Sequence, residues 1–73
     1  MYIDPEIKLR DDLPSGLREY FSELQEYYDK GDWLSFDRLW DDCVESSVKI
    51  CYHDGRITME DLQQIFRKYG FSY

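Results

Sequence analysis

The sequence predicts an all-α fold: a three-helix domain in which an antiparallel helical hairpin is joined by a third helix and preceded by an extended N-terminal arm. Three observations carry this reading. Apolar residues recur at helical spacing through three stretches, an isolated glycine follows each stretch, and a residue suited to capping a helix stands before each. The expected layout is one domain over 1–73, with the arm at 1–11 and helices at 13–30, 33–52 and 58–69. A chain of 73 residues is small, and such domains bury only about 60% of the surface that the unfolded chain exposes.

The arm comes first. From Ile3 to Arg10 apolar and charged residues alternate, the period of a half-buried strand, and Pro5 restricts such a strand to an edge. Its candidate partner in the chain is the short tail Phe71, Ser72 and Tyr73. Otherwise the arm lies extended across the helices, or pairs with a second chain and makes a homodimer.

For the first helix, Asp11 and Asp12 offer caps and Pro14 suits the first turn, where its missing N–H costs nothing. Leu17, Tyr20, Phe21, Leu24, Tyr27 and Tyr28 then fall on one face. Lys30 complements the C-terminal dipole, Gly31 can adopt the left-handed conformation, and Asp32 can cap the next helix. So short a connection makes the two helices antiparallel neighbours. The second helix places Phe36, Leu39, Trp40, Cys43, Val44, Ser47, Ile50 and Cys51 on one face and is the spine of the predicted fold.

His53, Asp54, Gly55 and Arg56 signal a turn. Thr58 then serves as N-cap, Asp61 as a short form of the capping-box acid, and Ile57 with Leu62 as a hydrophobic staple. In the third helix Leu62, Ile65, Phe66 and Tyr69 point inward, Arg67 and Lys68 occupy the last turn, and Gly70 ends it.

Composition bounds the function. The thirteen aromatics are more than so small a core can enclose, so some belong at the rim or on a contact surface. Cys43 and Cys51 stand eight residues apart on one predicted helix. That separates their α-carbons by about 12 Å, beyond the roughly 7 Å that a disulfide spans. The first residues show no basic segment followed by an apolar run, and no stretch nears the ~20 apolar residues of a membrane span. A reduced, cytoplasmic protein is the resulting expectation.

The net charge of −7 is concentrated between Glu19 and Glu45, where nine acids face only Lys30 and Arg38. Direct nucleic-acid binding needs cations to neutralise phosphates, and anionic membranes impose the same requirement. Neither is expected; a protein partner with a basic surface is allowed, and so is a face that is only solvated. On the first helix Glu19, Glu23 and Glu26 lie opposite the apolar stripe, and on the second Asp37, Asp41 and Glu45 stand at four-residue intervals. Such neighbours are about 6 Å apart along a helix, close to the spacing of phosphates along a strand. Like charges so placed destabilise an isolated helix by roughly 0.2–0.5 kcal/mol per pair. These six residues are the candidate binding face.

Other chemistry is sparse. Asp54, Gly55, Ile57 and Asp61, with Ile65 and Tyr69 after them, resemble the second half of an EF-hand loop and its exiting helix, and the terminal aspartate is similar to that of a dockerin loop. In that resemblance they match an early carboxylate ligand, the turn glycine, the central apolar residue and the last carboxylate. The first two ligand positions fall on Ile50 and Tyr52, which offer no carboxylate where calcium needs about six to eight oxygens. One histidine, His53, near Cys51 does not make up a zinc site, and no glycine-rich phosphate loop or nucleophile with base and orienting group emerges. No cofactor, no metal and no catalysis are expected. The function that remains is a small, acidic, non-enzymatic protein-interaction module. The alternatives are a nucleic-acid mimic that occupies the basic cleft of a nucleic-acid-binding protein, and a degenerate EF-hand or dockerin-like module.

Overall fold

The computed structural model describes residues 2–72; Met1 and Tyr73, which the arm and tail readings include, lie outside them. Among the described residues all regular structure is helical. The elements are α1 (Ser15–Lys30), α2 (Trp33–Leu39), a π-helical turn (Trp40–Val44), α3 (Glu45–His53) and α4 (Met59–Lys68). α1 packs on α2 and the π turn, and α3 packs on α4.

α1 starts at Ser15, with Pro14 as the N-cap rather than inside the first turn. The backbone at Pro14 is extended (ψ 139°), and its carbonyl accepts from the N–H groups of Leu17 and Arg18. Helix ends follow one rule. At Gly31 (φ +71°) its own N–H donates to the Tyr28 carbonyl and the Asp32 N–H to the Tyr27 carbonyl. Gly70 (φ +79°) repeats the pattern, with Gly70 donating to Arg67 and Phe71 to Phe66. Such paired bonds satisfy carbonyls that a helix end leaves open, and the left-handed backbone they require favours glycine.

The long helix of the sequence reading is not uniform. At its centre the Glu45 N–H donates to the Trp40 carbonyl, five residues back instead of four. The π turn takes up one extra residue and rotates everything after it. Phe36, Trp40, Val44 and Val48 are therefore all buried at a strict four-residue interval. An unbroken α-helix would let that series drift by roughly 40° per step. The same rotation corrects the expected inward face: Ile50 is 58% exposed, and Val48 takes the core position. Ile50 instead lines an apolar groove of about 230 Å³ with Pro14, Leu17, Tyr20, Cys51 and Arg56.

The core centres on rings from several elements. Trp40 stacks on Phe71 at 4.3 Å and meets Phe66 edge-on at 5.1 Å. Tyr69 stacks on Phe21 of α1 at 5.4 Å and lies 5.9 Å from Trp40. Offset and edge contacts of this kind add about 0.5–1.5 kcal/mol per pair beyond area burial. Leu17, Leu24, Leu62, Ile65 and Ile57 complete the interior, and both cysteines are free.

Residues 2–10 form no strand. A turn at Pro5 and Glu6 interrupts the alternation, with the Glu6 N–H donating to the Asp4 carboxylate. The segment is tied to the end of α4 at Lys68. The Asp4 N–H donates to the Lys68 carbonyl (2.7 Å), and the Lys68 ammonium donates to the Asp4 and Ile7 carbonyls (3.0 and 2.8 Å). Ile3 and Leu13 enter the core on either side.

Candidate interaction surface

Helix geometry and the π turn together decide where the charged face lies. Asp37, Asp41 and Glu45 each follow a buried residue by one position, and the π turn that keeps Phe36, Trp40 and Val44 in line keeps these three in line beside them. Asp37 and Asp41 are exposed, whereas Glu45 is half-buried. The next position along this flank is Lys49, whose ammonium pairs with Glu45 at 3.1 Å. The acidic run is thus closed by a cation, a compensation that charge counting over 19–45 passes over because Lys49 lies beyond it.

Glu19, Glu23 and Glu26 are all exposed on α1. Among the described residues, none of these three, nor Asp37 or Asp41, makes a side-chain hydrogen bond or ion pair within the chain. Their carboxylates are left to solvent or to a partner. The six candidates form two rows, Glu19, Glu23 and Glu26 on α1, and Asp37, Asp41 and Glu45 running from α2 through the π turn to the start of α3.

The first turn of α2 adds apolar residues to the second row. Asp32 caps it, its carboxylate accepting from the Ser35 N–H at 3.2 Å. That fixes the start of the helix at Trp33 and Leu34, which are 64% and 69% exposed. Trp33 stands one turn before Asp37, at the head of the acidic flank. The aromatic surplus pointed to some exposed ring; the cap at Asp32 and the four-residue step from Trp33 to Asp37 were the signals that could have located it. Beside this turn, Tyr27, Ser35, Arg38, Leu39, Asp42 and Cys43 line an open groove of about 260 Å³.

Asp61, the last position of the calcium-loop resemblance, is fully engaged by other groups. Both of its carboxylate oxygens accept from Arg10 Nε at 3.0 Å, and Arg10 Nη2 stands 2.9 Å from Oδ2. It also accepts from the Thr58 N–H at 2.9 Å, while its own N–H donates to the Thr58 hydroxyl, completing a capping box. Burial pushes the Asp61 carboxyl up, but the hydrogen bonds from Arg10 and Thr58 outweigh it and hold the group below its ordinary value. The same hydrogen bond raises the Arg10 guanidinium, against the opposing effect of its partial burial. Arg10 had no assigned role in the sequence reading; it joins residues 51 positions apart.

Among the described residues no three of His, Cys, Asp and Glu converge as a metal site would need, and no helix is long and apolar enough to cross a membrane. No family model, no curated protein and no solved structure matches the chain.

Proposed function

We propose that the chain is a small, non-enzymatic, acidic interaction module of a reducing, cytoplasmic compartment that binds the basic surface of a protein partner. Its architecture on this reading is an antiparallel helical hairpin, α1 against the α2–α3 helix, with α4 packed across it and the N-terminal arm laid along α4. The observation that carries the function is the set of exposed carboxylates at Glu19, Glu23, Glu26, Asp37 and Asp41 that form no ion pair or side-chain hydrogen bond among the described residues. Two free cysteines support the reducing compartment. The ties from Asp4 and Lys68 support an arm that completes its own fold rather than pairing with a second copy.

The mimic of nucleic acid is the second reading, favoured by unpaired carboxylates one turn apart on both helices; the cation at Lys49, which shortens one of the two rows, weighs against it. A calcium-loop module is third, since Asp61 already serves Arg10 and Thr58.

The test is association kinetics with the protein that the chain captures from its host, for the native chain and for Asp37→Asn with Asp41→Asn, at low and high salt. The variant should associate more slowly and with a flatter salt dependence. Equal rates and equal salt slopes, for this variant and for Glu19→Gln with Glu23→Gln and Glu26→Gln, would reduce both rows to a solvated surface.

A further inference from the structure

We infer that the beginning of α2 is the docking point within that acidic surface: Trp33 and Leu34 anchor a basic amphipathic helix of the partner, whose cations meet Asp37 and Asp41. The inference rests on the proposed basic partner and adds to it the face used and the form of the ligand.

Three observations converge. Trp33 and Leu34 are the two most exposed large apolar residues described, and they are adjacent. Tryptophan is among the residues that dominate binding when they become buried at an interface. Asp37 and Asp41 then follow Trp33 at one-turn steps with their carboxylates unpaired. A partner helix carrying Lys or Arg at i and i+4 presents charges at the same ~6 Å step.

Charge selects this occupant over a second copy of the chain. Between Asp29 and Glu45 six acids face Lys30 and Arg38, so two copies meeting at this turn would set like charges together. Arg38 follows Asp37 directly in the helix. A cation of the partner that meets Asp37 is therefore flanked by one fixed positive charge, which sets the register in which the helix can lie.

The probe is a synthetic 14-residue peptide of Leu and Lys in a helical period, with an oligolysine of equal charge beside it. The indoles differ enough in exposure, 64% for Trp33 against 1% for Trp40, for acrylamide quenching to report on Trp33. The amphipathic peptide should protect Trp33 from quencher. Trp33→Ala with Leu34→Ala should weaken its binding about tenfold or more, as loss of an interface anchor does. Asp37→Asn with Asp41→Asn should weaken it and flatten its salt dependence, and Glu6→Gln with Asp11→Asn, two exposed acids outside both rows, should bind like the native chain.

All the substituted side chains are exposed, and a circular-dichroism melt of each variant checks that the fold is retained. If oligolysine binds as well as the peptide, or Glu6→Gln with Asp11→Asn loses as much as Asp37→Asn with Asp41→Asn, charge alone directs binding: the docking point is wrong and the basic-partner reading stands. If neither probe binds even at low salt, the basic-partner reading itself falls. A dimer in sedimentation that Trp33→Ala with Leu34→Ala dissociates would make a second copy the occupant and overturn the inference.

Discussion

Asp61 caps α4 and receives Arg10 with the same two oxygens, so one carboxylate both starts a helix and fixes the segment that precedes α1. Removing it leaves the Thr58 N–H without its acceptor and Arg10 without its main partner. Asp61→Ala should cost about 2 kcal/mol in urea unfolding, from the cap and the charged hydrogen bonds together. Arg10→Met should lose part of that, and the double variant little more than Asp61→Ala alone, because the two act as one unit. The pH dependence follows from the sign of the shift. The folded-state pKa of Asp61 lies below its ordinary 3.8, so its contribution is complete above that value and is lost as pH falls below it toward the folded-state pKa. Native chain and Asp61→Asn should therefore converge in stability in strong acid, and a constant gap down to pH 2 would refute the role given to the ionised group. Calcium competes for oxygens that are already occupied. Millimolar calcium should leave the melting temperature unchanged, and a rise of several degrees that Asp61→Ala abolishes would restore the calcium-loop reading.

At the scale of the helix, the glycine ends and the π turn make separate predictions. Alanine at Gly55 or Gly70 must adopt a left-handed backbone (φ +76° and +79°), which costs about 1–2 kcal/mol. At Gly70 the added Cβ would also stand 3.1 Å from Cβ of Tyr2, while at Gly55 it meets nothing within 4 Å. Gly70→Ala should be the more destabilising in thermal melts; equal losses would mean that Tyr2 yields freely. Deleting Asp42 should close the π turn into a regular α-helix that still turns Val44 and Val48 inward, so the deletion is expected to fold. Deleting Ser22 from α1, which has no extra residue to give up, turns Tyr27 and the residues beside it by roughly 100° and should be far more damaging. Much of this level was readable in advance. The box at Thr58 and Asp61 and the left-handed glycines depend on residues within five positions of one another, and local chemistry of that range shows in a sequence. The π turn left a fainter trace, the four-residue spacing of Phe36, Trp40, Val44 and Val48, which a reading at 3.6 residues per turn resolved instead into Ile50 inward. The Arg10–Asp61 pair left none, since nothing local relates residues 51 apart. Exposure of Trp33 and Leu34 was signalled only by the cap at Asp32 and the step to Asp37, because a first-turn residue of an amphipathic helix is buried or exposed according to what packs against it.

For the molecule as a whole, the ring cluster is the point where α1, α2, the π turn, α4 and the C-terminal Phe71 meet, and Tyr69 sits within it against Phe21, Phe36 and Trp40. A phenol in that position makes global stability sensitive to alkali. Burial pushes the Tyr69 pKa from 10.0 up to about 12, because an ionised phenolate would have to exist among apolar rings. In the unfolded chain the same group ionises near 10, so between about pH 10 and 12 the unfolded state releases its proton while the folded state retains it. Stability is therefore full below pH 10 and falls as pH rises through this window, at about 1.4 kcal/mol per pH unit and to a total of roughly 3 kcal/mol. For a domain whose whole stability is of order 5 kcal/mol, that is a large share. Tyr69→Phe removes the ionisable group and keeps the ring, and among the described residues the Tyr69 hydroxyl makes no hydrogen bond whose loss would mask the comparison. The variant should match the native chain near pH 7 and remain folded to higher pH, with the alkaline midpoint of its circular-dichroism signal shifted upward. An unchanged midpoint would show that alkaline unfolding begins elsewhere, and Tyr69 would then serve the core through its ring alone.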